Sequence, residues 1–476
     1  MVGRPIREFL AAVTRSPLGL LGAALTTASA VLFLSLFLIE SIGVHGGPYL
    51  GIITFMVLPG VFLLGLVLIP AGAWLERRRL RRTGAVSDRF PVIDLNRPAV
   101  RNLALVFLVA TVVNLVIVSA ATYKGVEYME TVEFCGQACH SVMDPEYTTY
   151  QRSPHSRVAC VECHIGPGAD WFVKSKLSGS WQVVSVNLGL YPKPIPTPVH
   201  SLRPARETCE QCHWPTKFVG DRLKVITHFE EDEANTETKT VLVLRVGGSD
   251  GTKSHGIHWH VDPTHEVRYR STKDRETMYE VTFEDASGTR RRWARPAGDA
   301  NGDAPKAETT EWRTMDCVDC HNRPSHIYRL PHVELDRAIH EGRIDRNLPF
   351  IRREGLAALK ADYPSHEEAR KGIAAAIRAF YEKEYPQVVV SSSEQIRQAG
   401  HTLGDIWCWN VFPSMNITWG TYPNHIGHEE TPGCFRCHGS DLVDEAGEPI
   451  SGDCETCHGI LAMQEPNPPI LSDLGR

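Results

Sequence analysis

The sequence predicts a membrane-anchored chain of two parts: three transmembrane helices, then a mostly irregular and α-helical domain with a small antiparallel β insert. Three observations predict it. Before residue 124 lie three uncharged apolar runs. After it the chain is polar and holds six cysteine pairs, each followed directly by histidine. Between the third and fourth pairs, short segments of alternating apolar and polar residues are bounded by glycine-rich turns. The mean hydropathy of −0.19 is an average over these unlike halves.

The apolar runs are Leu18 to Ile39, Tyr49 to Leu75 and Asn102 to Tyr123. Each reaches the roughly 20 residues that cross a bilayer as a helix. A spanning helix satisfies its own backbone polar groups, so no other simple structure suits them. Pro59 and Pro70 are expected to kink or end the second run. The first run is too long for a signal peptide and lacks a small-residue cleavage site, so it reads as a retained anchor. Arg4, Arg7 and Arg15 precede it, the first hairpin has no lysine or arginine, and the second linker is rich in arginine from Arg77 to Arg101. Positive loops stay cytoplasmic, so the chain leaves the third run on the far side. The net charge of −6 is small for 476 residues, and no basic patch with interleaved aromatics points to nucleic acid.

The cysteine pairs carry the chemistry. Five read Cys-x-x-Cys-His: Cys160-Cys163-His164, Cys209-Cys212-His213, Cys317-Cys320-His321, Cys434-Cys437-His438 and Cys454-Cys457-His458. The sixth, Cys135-Gly-Gln-Ala-Cys139-His140, has three residues between its cysteines. This is the attachment signature of c-type haem: two thiols bond the vinyl groups and the histidine binds the iron. Cysteine pairs also build zinc sites, but zinc does not require histidine after the second cysteine. With 21 histidines in 476 residues, six chance placements have a probability of about 10^-8, so haem is the reading. In bacteria c-type haem is attached outside the cytoplasm, which agrees with the arginine pattern. The expected location is the cytoplasmic (inner) membrane, multi-pass, with the haem domain on the periplasmic side. Six covalent haems c are expected.

The expected divisions are 1–123 for the anchor, 124–220 for a membrane-proximal part with three haems, 221–312 for the β insert and 313–476 for a distal part with three haems and a helical arm. Only a short segment separates the third run from Cys135, so the first haem is expected near the membrane surface. Prolines alternate from Pro192 to Pro198 and predict a stiff, extended connection. Val241 to Val246, Glu266 to Arg270 and Met278 to Phe283 are the expected strands. From 332 to 408 apolar residues keep helical spacing, punctuated by Pro349, Pro364 and Pro386.

Electron-transfer haems need a second axial ligand, whereas an open position implies chemistry on a small molecule. Histidine is in excess. His155, His200, His326 and His428 are the strongest distal candidates. His258 and His260, in Gly-Ile-His-Trp-His-Val, are two further candidates, of which one is expected to bind iron and the other not. Met143, three residues after His140, is either a core residue or a thioether ligand. Cys408, outside the motifs, reads as a buried inert thiol.

Taken together, the run Ser153-Pro-His155 to Cys163-His164, the early motif with Met143 nearby and the preceding apolar helix resemble the NapC/NirT (NrfH-like) membrane quinol dehydrogenases. Leu202 to Pro215 and Thr418 to His428 resemble the longer inner-membrane multihaem cytochromes of metal-reducing bacteria. The resemblance implies oxidation of membrane quinol (menaquinol or ubiquinol) and electron delivery to a periplasmic cytochrome or reductase. It implies Met143 as a possible replacement for His140 on the first iron. It also implies a quinol site after the second motif built from a lysine and an acid, for which this chain offers Lys174, Lys176 and Asp170, with Asp144 as a second candidate base. Two other readings stay open: a terminal reductase with one open-site haem, and an electron-relay subunit of a larger respiratory complex.

Overall fold

The computed structural model describes residues 12–13, 15–41, 57–82, 94–98, 100–102, 105, 108, 119–120, 123–137, 140–166, 169–199, 202–214, 220–249, 254–296 and 310–475. Two compact units divide the chain, Met1–His140 and Ser141–Arg476.

In the first unit, α1 (Pro17–Ser41) and α2 (Leu58–Arg82) are the two helices among the described residues long and apolar enough to cross a membrane. Each has 25 residues, so each is about 37 Å long at 1.5 Å per residue. They pack through glycines. A Cβ on Gly22 would stand 2.8 Å from the Gly65 carbonyl oxygen, and one on Gly72 would meet the backbone of Gly19. Small residues let apolar helices approach closely where the hydrophobic effect gives no preference for protein over lipid. Pro59 falls in the first turn of α2, and Pro70 lies inside the helix without ending it. The third apolar run, 102–123, lies largely outside the described residues.

The second unit opens with α3 (His140–Gln151) and α4 (Ala169–Leu188). Two antiparallel sheets follow. One has the order β1 (Arg222–Phe229), β2 (Glu237–Leu244), β11 (His458–Glu465). After a two-residue hairpin, β3 (Gly248–Ser249) and β4 (Ser254–His255), come β5 (His265–Thr272), β6 (Met278–Asp285), β7 (Arg290–Ala294) and β8 (Thr310–Thr314). The larger sheet runs β10-β9-β7-β6-β5-β8, with β9 (Gly439–Val443) and β10 (Pro449–Ile450). The expected strands are present, but the β region is not a self-contained insert. C-terminal strands complete both sheets, pairing His458 with Leu244 and Val443 with Ala294. Those pairings are long-range, and the strands adjoin cysteine motifs whose local pattern hides them.

The expected helical arm is four helices: α5 (Pro331–His340), α6 (Ile351–Lys360), α7 (His366–Glu384) and α8 (Pro386–Asn410). Ser365 caps α7 by accepting from the Glu368 amide, and Pro386 stands in the first turn of α8. Their inner faces bury Leu335, Ile351, Leu359, Ile373, Ile377, Tyr381, Leu403 and Ile406 in one core. Cys408 is buried there.

A buried ion cluster ties α5 to the segment before the second cysteine motif. Glu334, fully buried, meets Arg152 at 3.1 Å and Arg329 at 3.0 Å, with Arg337 at 3.9 Å. Arg152 also lies 3.8 Å from the Trp409 ring centre. Burial opposes ionisation of Glu334, but Arg152, Arg329 and Arg337 outweigh it and hold the carboxyl below the ordinary range. A depressed pKa contributes stability that is present above the unfolded value and lost as pH falls through the folded one. Glu334→Ala leaves the arginines without their counter-charge, so it is expected to cost about 3–5 kcal/mol. A thermal melt at neutral pH checks this, and the deficit should shrink toward acid pH.

Candidate haem sites

Each described motif occupies about one helical turn: Cys160–His164, Ala205–Cys209 leading into Cys212, Cys317–Cys320, Gly433–Arg436 leading into Cys437, and Cys454–Cys457. A turn sets two cysteines three apart on one side and places the next histidine beside them. Aspartates fix two of the turns. Asp316 and Asp319 form a reciprocal capping box on Cys317–Cys320, and Asp453 accepts from the Glu455 amide. Asp316 Oδ2 also accepts from the amide of Ala205 at 2.8 Å, joining the third and fourth motifs. The last motif is tied to the smaller sheet by a bond from the Arg245 amide to the Cys457 carbonyl, 2.8 Å.

Five motif histidines each face a second histidine. Ring centres are 6.2 Å apart for His164 and His326, 6.0 Å for His213 and His155, 6.4 Å for His321 and His258, 5.6 Å for His438 and His260, and 6.1 Å for His458 and His428. Two imidazoles on opposite sides of one metal, with bonds of about 2.0 Å, would have centres about 6.2 Å apart. Four pairs match that spacing, and the closer pair, His438 with His260, would have to open slightly to admit an iron. Nε2 of His438 and Nε2 of His260 face each other at 3.4 Å.

Several of these rings are held by their other nitrogen. The Nδ1 of His155 lies 3.1 Å from the Pro324 carbonyl, that of His260 2.8 Å from Ile257 O, that of His438 2.7 Å from Ser451 O and that of His326 2.9 Å from Glu146 O. A ring that donates from Nδ1 keeps Nε2 as the metal donor. Burial pushes His164 down to about 4, with His326 adding to the effect. Burial also lowers His258, His260 and His321. Such rings are neutral near pH 7, the form that binds metal.

The motif cysteines neighbour one another in series. Cys163 is within electrostatic reach of Cys209 and Cys212, and Cys209 lies beside Cys317. Cys320 is as close to Cys434 and Cys437, and Cys457 to Cys434. The order along this series is the order of the sequence. Among the described residues no group of three or more His, Cys, Asp and Glu side chains converges as a closed zinc site needs.

His258 and His260 lie in one short helical turn. Ile257–Val261 is a 3-10 helix, entered through Gly256 at φ +76°, a conformation that favours glycine. Trp259 between them stacks on His265 at 4.3 Å and Phe283 at 5.1 Å. With Trp259 turned inward, His258 faces His321 and His260 faces His438, so both are brought to a motif.

The other candidates are placed less fully. His200 and Cys139 lie outside the described residues, as do the side chains of His140, Asp170 and Lys176. Met143 is half-buried on α3, and Asp144 is 3.5 Å from Thr148 Oγ1. Lys174 is exposed on α4 with its ammonium 4.4 Å from the Trp171 ring centre. His425 is structural: it is buried, its Nδ1 is 3.2 Å from Asp319 O and its Nε2 3.0 Å from Glu276. His332 and His366 also have protein partners, Glu430 at 2.6 Å and Val411 O at 2.7 Å.

Apolar anchor helices and histidine-paired Cys-x-x-Cys-His turns define a membrane-anchored multihaem c-type cytochrome. The chain belongs to the same family as the cytochrome c-type protein ImcH, and its residues 97–192 match the model of the N-terminal region of the NapC/NirT cytochrome c family. It is 42% identical over 446 residues to the cytochrome c-type protein ImcH of Geobacter sulfurreducens, covering 92% of this chain and 86% of that one. It is 30% identical over 112 residues to the cytochrome c-type protein NrfH of Wolinella succinogenes, covering 23% of this chain and 62% of that one. No solved structure matches the chain.

Proposed function

We propose that this cytochrome oxidises menaquinol or ubiquinol at the membrane and delivers the electrons through six haems c to a periplasmic cytochrome or reductase. The observation that carries the reading is the set of five histidine pairs at or near iron-bridging separation, on motifs that neighbour one another in series. The match to the N-terminal region of the NapC/NirT family supports the quinol end.

Bound haem supplies reversible one-electron chemistry at each position. The chain's own residues hold and orient it. His164 with His326, His213 with His155, His321 with His258, His438 with His260 and His458 with His428 would each hold one iron. Cys135 and Cys139 attach the first haem, with His140 or Met143 as its ligand and His200 as a further candidate. A second imidazole at each described motif leaves no open position there, which favours a relay over a terminal reductase. Service within a larger membrane complex is compatible with the same wiring.

Quinol oxidation releases two protons with its two electrons, so the site needs a hydrogen-bond donor to an oxygen and a base. Lys174 or Lys176 fills the first role and Asp170 or Asp144 the second. The helix bearing both lysines turns Leu177, Trp181, Val184 and Leu188 outward, each exposed and all on one face. An outward apolar stripe with an interfacial tryptophan suits a position at the lipid surface. Lys174→Ala in the full-length protein in liposomes should slow haem reduction by a menaquinol analogue at least tenfold. The dithionite-reduced spectrum should stay unchanged. An unaltered rate removes Lys174 from the site.

A further inference from the structure

Glu146 stands in a relation to a proposed axial imidazole that differs in kind from the other described Nδ1 contacts. It lies on α3, and His326 lies in the loop that follows the fourth motif. The Nδ1 of His326 is 2.9 Å from the Glu146 backbone oxygen and 3.1 Å from its carboxylate Oε2. The backbone oxygen takes the hydrogen bond, so the carboxylate oxygen sits against the ring as a charge. That oxygen is screened from solvent. Among the described residues no lysine or arginine comes within 4.0 Å of it, and Tyr328 and Tyr422 stand near enough to feel it. At His155, His260 and His438 the Nδ1 partner is a neutral carbonyl.

A carbonyl orients a ring; a carboxylate also adds a full negative charge in a region of low dielectric. That charge makes the imidazole a stronger donor and favours the ferric over the ferrous iron. We propose that Glu146 is a positioning residue that holds the haem ligated by His164 and His326 at a lower potential than its neighbours. The proposal rests on the axial assignment made above. The consequence is a step in the series: an electron enters this haem uphill and leaves it downhill to either neighbour.

The test is a potentiometric titration of the full-length holoprotein, read by visible absorbance and by the low-spin electron paramagnetic resonance signals. Glu146→Gln keeps the shape and removes the charge. One midpoint should rise while the others stay in place, and Glu146→Asp should give a smaller rise of the same midpoint. If neither variant moves a midpoint, the carboxylate is inert and the proposal is overturned. His326→Ala in the same assay separates the two claims. Loss of one low-spin signal keeps the axial assignment whatever Glu146 does, and retention of every low-spin signal removes the assignment itself. If the Gln variant fails to take up its haems, the Asp variant decides on the same midpoint, and no rise there overturns the proposal.

Discussion

Replacing Cys317 and Cys320 by serine is expected to remove one haem and cut the series in two. The fourth motif lies between the others: Cys209 neighbours Cys317 on one side, and Cys320 neighbours Cys434 and Cys437 on the other. Serine keeps the shape of the turn, and the Asp316–Asp319 capping box does not involve the thiols. The variant should therefore keep its other haems while the reduced absorbance falls by about one sixth, one haem of the expected six. Reduction by quinol should stop at the motifs before the cut, whereas dithionite should reduce every remaining haem. Cys408→Ser is the control. That thiol is buried among the helices, 3.7 Å from the His366 carbonyl, and takes part in no motif. Its replacement should leave haem content and electron flow unchanged. Full reduction of the double variant by quinol at the normal rate would mean that electrons do not pass through the fourth motif.

The second large effect is expected at His260. Its Nε2 faces that of His438, and its Nδ1 is held by the Ile257 carbonyl, so the ring is oriented before any metal arrives. His260→Ala removes one of two imidazoles and opens an axial position. One haem should become high-spin, bind carbon monoxide and rise in potential, since a strong donor to the ferric iron is lost. His258→Ala should do the same to a different haem, and the double variant should show two high-spin haems. If only one of the two histidines changes a spectrum, the other belongs to no iron.

How much of this could be read from the sequence depends on range. The Cys-x-x-Cys-His runs are legible because attachment and proximal ligation are set within one turn. The apolar runs are legible because a bilayer demands length. Distal partners are not: His260 and His438 are 178 residues apart, and nothing local to either names the other. The excess of histidine named candidates but not their pairing. His258 and His260 were legible as candidates, but not that Gly256 at positive φ opens a 3-10 turn that sends the two rings to different motifs. Glu146 carried no signal at all. It sits in an ordinary polar run, and only the loop from His321 to His326, returning to α3, sets it beside an imidazole. The same holds for β11, a strand created by pairing with β2 far away in sequence.

The most direct measurement is the intact mass of the native polypeptide under denaturing conditions. Covalent haem survives unfolding, so the account predicts the polypeptide mass plus six haems, with one fewer in the Cys317/Cys320 variant. A polypeptide that carries no porphyrin mass would contradict the axial pairs, the series and the electron path together.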